Sequence, residues 1–339
     1  YSTLSLRVCR VCVISIYYCV PGSLAQWTVW MPKDISTMRN SCVVIPCTFM
    51  YPSNVRPYGV HGIWYFGQPY PELYPPVVFK SRTEIVHESF KDRTKLLGDL
   101  KQRNCTLQIS NIGMEHSGKY YFRADLGSSN VYTYPDFSEV KVLDSPDRPA
   151  ISPSSAVKEG ALTSLACTAP APCPREPPAL VWSDTLNGSV EIEQVEQQDG
   201  TKAVSSVLTF TASHLHHNKD ITCTAQYPVG SETKSAGEVS TLRVLYSPKN
   251  TLALISPPGE IHEGGHVTLS CSSNANPAVS RYTWFEVKGD NINEKGVEQY
   301  LTFTDINASD SGLYYCEARN EHGAENSTAV QLNVVCMYL

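Results

Sequence analysis

The chain has 339 residues, enough for two or three ordinary domains. Its formal net charge of −6 excludes the broad basic surface that a nucleic-acid partner demands, so an anionic ligand must be held by a local cation. With 23 prolines and 20 glycines set among many Val, Tyr and Thr, the composition favours short strands and frequent turns, hence an all-β fold.

Residues 1–25 read as a signal peptide. Arg7 and Arg10 precede an apolar run from Val11 to Val20, and Ser23-Leu24-Ala25 has the small-x-small form of a signal-peptidase site. The run is too short to span a bilayer. The mature chain is then expected to start at Gln26, in the secretory pathway where disulfides form. No apolar run beyond it is long enough to cross a membrane. The expectation is a soluble form, or the outer part of a longer anchored protein on the extracellular face of the plasma membrane.

The first domain is expected over 26–143. Its strand Ser41–Cys47 carries two cysteines five residues apart, and alternation along a strand lets only one of them enter a sandwich core. Cys47 is the better candidate, because Trp64 and Phe122 then complete the interior. Gly118-Lys119-Tyr120-Tyr121-Phe122-Arg123 follows the F-strand pattern D-x-G-x-Y-x-C of an immunoglobulin sandwich, with Phe122 where the cysteine belongs. Cys47 therefore needs another partner, and Cys105 is the one left in this domain, linking strands of one sheet. If Tyr120 and Phe122 enter the core, Tyr121 and Arg123 point to the open face.

Cys167, Trp182 and Cys223 supply the core triplet of a second domain, 146–245, without a corner tyrosine before Cys223. Cys173 lies in Ala169–Pro174, a stretch too proline-rich for a central strand. Cys42 and Cys173, each unpaired in its own domain, are expected to bridge the two. His214, His216 and His217 read as solvated polar surface and not as a metal site. A third domain, 248–335, follows from Cys271, Trp284 and Asp310-Ser311-Gly312-Leu313-Tyr314-Tyr315-Cys316. Cys167–Cys223 and Cys271–Cys316 close the later sandwiches, and Cys336 is left over. The sum is three tandem immunoglobulin-like β-sandwiches, one V-set-like and two of C2 or I type. Asn104, Asn187, Asn307 and Asn326 satisfy the N-glycosylation acceptor rule. No phosphate loop, nucleophile elbow or paired-carboxylate cleft is present, so no enzyme, cofactor or metal is expected.

The F strand without its cysteine, the intrasheet bond and the interdomain bond together resemble the siglec family, the sialic-acid-binding immunoglobulin-type lectins. The segments that carry the resemblance are His61–Phe66, Tyr74–Thr83, His87–Phe90, Leu96–Leu100, Arg103–Leu107 and Gly118–Arg123. It implies that Arg123 salt-bridges a sialic acid carboxylate and that Trp27 packs on the N-acetyl methyl. It also implies that Tyr132 faces the glycerol tail, that Thr133 offers backbone hydrogen bonds, and that Tyr65, Tyr70 and Tyr74 reach the rest of the glycan. Arginine suits the first role because its planar fork bonds both carboxylate oxygens. The implied function is a cell-surface adhesion lectin for terminal sialic acid on gangliosides and glycoproteins of neighbouring cells, at axon–glia contacts of myelin. Association of copies through the later domains is also expected. The alternative is a glycan-independent immunoglobulin-type adhesion or receptor module, which sialidase treatment of partner cells would separate from the first.

Overall fold

The computed structural model describes residues 26–71, 74–152 and 155–336. The signal peptide expected over 1–25 lies outside the described residues. Three hydrophobic cores follow one another along the chain, each between sheets of short strands. Among the described residues no helix is long and apolar enough to cross a membrane.

The first sandwich uses ten strands: β1 (Thr28–Trp30), β2 (Asp34–Met38), β3 (Val43–Ile45), β4 (Thr48–Met50), β5 (His61–Phe66), β6 (Val77–Lys80), β7 (Thr94–Leu96), β8 (Leu107–Ile109), β9 (Gly118–Asp125) and β10 (Val131–Leu143). One sheet runs in the order β2-β10-β9-β5-β6, and the opposing one is β3-β8-β7, with β1 paired to β4. Alternation on β9 buries Tyr120, Phe122 and Ala124 completely. The Tyr120 hydroxyl donates to the His116 carbonyl at 2.7 Å, the tyrosine corner that pins the start of this strand.

Phe122 fills the place of the missing cysteine. Its ring centroid lies 5.0 Å from that of Phe49 and 5.5 Å from that of Trp64, and it stacks on Tyr134 at 6.0 Å. Gly62 on β5 makes this possible, since a Cβ there would come within 2.8 Å of the Phe122 ring. Cys47 is bonded to Cys105. On the outer face Tyr121 is not open to solvent: it is buried and packs on Phe137 with centroids 5.3 Å apart.

The second sandwich opposes a sheet of Ala150–Ile151, Leu162–Pro170, Lys202–Thr211 and Ser189–Glu196 to one of Ala179–Trp182, Asp220–Val229 and Glu232–Thr241. Cys167 and Cys223 are bonded across its core, and Ile221 occupies the buried position where a corner tyrosine is absent. In the third, Cys271 is bonded to Cys316 beside the fully buried Trp284.

Two joints set how the sandwiches follow one another. At the first, Cys42 is bonded to Cys173 and the Val44 N–H donates to the Pro172 carbonyl at 2.9 Å. At the second, the strand Val244–Ser256 pairs with Val157–Lys158 of the second sandwich and then with Val267–Asn276 of the third. Two of the histidines expected as solvated surface, His214 and His217, belong to this joint instead. His214 donates to Glu159 Oε1 through its backbone N–H (3.2 Å) and its Nδ1 (2.7 Å), while Lys249 Nζ lies 3.0 Å from Oε2 of the same carboxylate. His214 and His217 both pack on Tyr246, and His216 lies edge-on to Phe210. A polar sequence there hid an apolar wall, because Tyr246 is contributed by the linker strand.

Candidate functional site

The candidate site is the outer face of the β10-β9-β5 sheet. Arg123 pairs across the ladder with Thr133 on β10 and Ile63 on β5, so its side chain leaves the core side and stands half-buried on that face. Its Nη1 donates to Thr133 Oγ1 at 2.7 Å. Its guanidinium lies over the Tyr70 ring, with Cζ 4.6 Å from the centroid, within the range of a cation–π contact. Among the described residues no carboxylate lies within salt-bridge distance of Arg123; Glu139, on the paired strand β10, sits four register positions away opposite Lys119. A cation held on two sides and left without an acid is a ready partner for an anion.

Tyr70 reaches the face because the segment after β5 folds back over it. Tyr70 stacks on Tyr65 at 5.4 Å and 17°, and Tyr74 meets Tyr70 edge-on at 6.3 Å. Tyr65 is buried and Tyr74 is 83% exposed, so the row grades from wall to rim. Burial pushes the Tyr65 hydroxyl up, the Arg123 charge works against this, and Tyr70 adds to the rise. The phenol therefore stays neutral and does not cancel the guanidinium.

Trp27 and Tyr132 come together at the open edge of the sheet. Their rings stack at 4.9 Å and 18°. Tyr132 pairs with the buried Ala124, which places it on the core side of β10, whereas Thr133 points out with Arg123. β2 pairs only with Glu139–Leu143, so Val131–Thr133 is ladder-paired with β9 on one side and with no described strand on the other. The cause is a bulge between Thr133 and Phe137 that contains Pro135, a residue a regular ladder excludes. Tyr134 inside the bulge turns into the core and donates to the Met50 carbonyl at 2.9 Å; burial pushes its hydroxyl well up.

The structure thus brings Arg123, Thr133, Tyr65, Tyr70 and Tyr74 onto one face, with Trp27 and Tyr132 at its edge. The sequence reading gave Thr133 a backbone role; its hydroxyl also holds Arg123. It missed the Tyr70–guanidinium contact, for which the aromatic spacing Tyr65, Tyr70, Tyr74 was the available signal. The arrangement suits a ligand with a carboxylate and apolar C–H faces.

The immunoglobulin V-set domain family matches residues 31–143, and the immunoglobulin domain family matches residues 250–334. Myelin-associated glycoprotein of Rattus norvegicus is 39% identical over 313 residues, 91% of this chain and 48% of that protein. Schwann cell myelin protein of Coturnix japonica is 34% identical over 313 residues, 91% of this chain and 49% of that protein. Sialic acid-binding Ig-like lectin 9 of Homo sapiens is 27% identical over 327 residues, 90% of this chain and 67% of that protein. The chain spans about half the length of the two myelin relatives. The three sandwiches, the arginine-bearing strand without its cysteine and these matches agree: the chain is built of immunoglobulin-type domains and is similar in sequence to myelin-associated glycoprotein and to the sialic acid-binding Ig-like lectins.

Proposed function

We propose that this chain is the sugar-binding outer part of a cell-surface adhesion lectin, and that it holds a terminal sialic acid on Arg123. The observation that carries the reading is the guanidinium itself: half-buried on the outer face of a sheet, tied to Thr133 Oγ1, stacked on Tyr70, and with no described carboxylate at salt-bridge distance. In this reading the ligand carboxylate takes the remaining N–H donors of Arg123. The Trp27–Tyr132 pair supplies an apolar ledge for the acetamide methyl and glycerol tail, and Tyr65, Tyr70 and Tyr74 extend along the next sugars. A charge-assisted hydrogen-bond set contributes about 1.5–3 kcal/mol, roughly one to two decades of affinity. A shallow site of that strength acts through many copies between apposed cells, where linked sites raise effective concentration. The partners are sialylated gangliosides and glycoproteins at the extracellular face of a neighbouring membrane. The three units are assigned to 26–143, 146–245 and 248–335, with association of copies through the later two.

Saturation-transfer NMR with 3′-sialyllactose on the secreted chain tests the reading. Wild type is expected to show transfer to the sialic acid protons and none with lactose. Arg123→Ala is expected to abolish it with circular dichroism and melting unchanged. Binding that persists in the folded variant, or equal binding of lactose, removes the lectin assignment.

A further inference from the structure

At the first joint a cavity of about 450 Å³ lies between the first and second sandwiches. Its apolar wall is Trp30, Val44, Pro46 and Leu97 on one side and Pro172 and Gly200 on the other. The joint is closely fitted around it: Gly200 has φ +71°, and a Cβ there would come within 3.2 Å of the Trp30 ring and 3.3 Å of Pro46. Yet Trp30 and Leu97 remain 45% and 44% exposed. Large apolar side chains left open inside an otherwise tight joint mark a surface that something covers.

Asn104 lines the same cavity, and it opens the acceptor sequence Asn104-Cys105-Thr106. Its Oδ1 accepts from the Thr106 N–H at 3.0 Å, and among the described residues its Nδ2 makes no hydrogen bond. The Asn104 N–H donates to the Asp99 carbonyl at 3.1 Å, and the adjacent Cys105 is bonded to Cys47. The acceptor nitrogen is therefore free while the residue that carries it is fixed at the cavity wall.

We propose that the first N-acetylglucosamine of a glycan on Asn104 occupies this cavity, covers Trp30 and Leu97, and wedges the first two sandwiches in one relative orientation. A hexosamine has an apolar C–H face that fits an indole ring, and hydroxyl and acetamide groups that suit the rim side chains Thr201 and Arg175. The covalent step is the ordinary one of the secretory pathway with a lipid-linked oligosaccharyl diphosphate as donor. Asn104 Nδ2 forms a bond to the anomeric carbon, the carbon–oxygen bond to the diphosphate breaks, and the amide proton is lost as the diphosphate leaves with the electron pair. The inference stands apart from sugar recognition at Arg123, which lies on the opposite sheet.

The test uses the full secreted chain from mammalian cells, treated without denaturant with an amidase that removes whole N-glycans, and read site by site by mass spectrometry. Release from Asn104 is expected to be about tenfold slower than from the exposed Asn187 and Asn307, because the enzyme must wait for local opening. Trp30→Ala is expected to leave Asn104 occupied and to raise its release rate to that of Asn187. Leu97→Ser, at a half-exposed position, provides the same readout if Trp30→Ala fails to fold. An unoccupied Asn104, release as fast as at Asn187 in the unaltered chain, or protection that survives both substitutions overturns the proposal.

Discussion

Replacing Thr133 by valine tests whether the arginine of the candidate site is held in place before a ligand arrives. Valine keeps the branched shape and removes the acceptor that Arg123 Nη1 uses at 2.7 Å. Arg123 is half-buried, so water replaces part of the lost bond, and the net loss belongs near the neutral value of about 0.5–1.5 kcal/mol. A freed guanidinium must also be reordered on binding, a cost that falls within the ~2 kcal/mol of arginine rotamer entropy. Monovalent 3′-sialyllactose affinity is therefore expected to fall about 3- to 10-fold, with the melting temperature unchanged. A monovalent sugar is essential, since avidity masks a change of this size. Combining Thr133→Val with Tyr70→Phe and Tyr70→Ala closes the argument. Tyr70→Phe, which keeps the ring beneath the guanidinium, is expected to be near neutral, whereas Tyr70→Ala couples to Thr133→Val because both release one group. Unchanged affinity in Thr133→Val, or strict additivity with Tyr70→Ala, refutes the idea that the site is pre-organised.

Two further substitutions probe the fold that carries the site. Phe122→Cys, which restores the commoner residue of this strand type, is expected to destabilise the first sandwich by about 3–4 kcal/mol in denaturant melts. It empties the space between Phe49, Trp64 and Tyr134, and Cys47 is already committed to Cys105; unchanged stability would contradict this account of the core. In the third sandwich Glu286 is only 2% exposed; burial pushes its carboxyl up, but hydrogen bonds from Lys288 and Tyr314 and the nearby Lys295 outweigh this and hold it below the usual carboxylate range. A lowered folded-state value stabilises above the unfolded value and is lost as pH falls through the folded one. Glu286→Gln is accordingly expected to cost about 1–2 kcal/mol at pH 7, with the difference from wild type shrinking below about pH 4; a difference independent of pH between 7 and 3 would show that the charge contributes nothing.

What the sequence made legible was what alternation and substitution encode locally. Phe122 in a cysteine position and Arg123 next to it fix which side chain faces in and which faces out, and β9 has that parity. Contacts made by chain reversal were harder to read. Tyr70 meets Arg123 because a loop folds back over the sheet, and no periodicity reports that. His214 reads as a polar turn because its apolar neighbour, Tyr246, lies 32 positions along the chain and reaches it through the linker strand. The sequence reading did not reach the bulge at Pro135, because its consequence, an unpaired edge beside Thr133, exists only with the partner strands in place.

The two joints bear on how so small a site acts. Sequential engagement of linked sites gains from effective concentration only to the extent that the geometry lets neighbours bind together. A flexible chain of domains spends binding free energy on ordering its own links, as any tethered segment does. Here the first joint is closed by Cys42–Cys173 and by the Val44–Pro172 hydrogen bond, and the second by one strand shared between sandwiches and by Glu159 bridging His214 and Lys249. Burial pushes the Glu159 carboxyl up, and its bonds to Lys249 and His214 more than compensate, so it stays charged and keeps both partners at neutral pH. On the proposed reading, ordered joints and weak binding at Arg123 are complementary: a site that contributes only a few hydrogen bonds has little to lose to reorientation, so the links that present it must already be ordered.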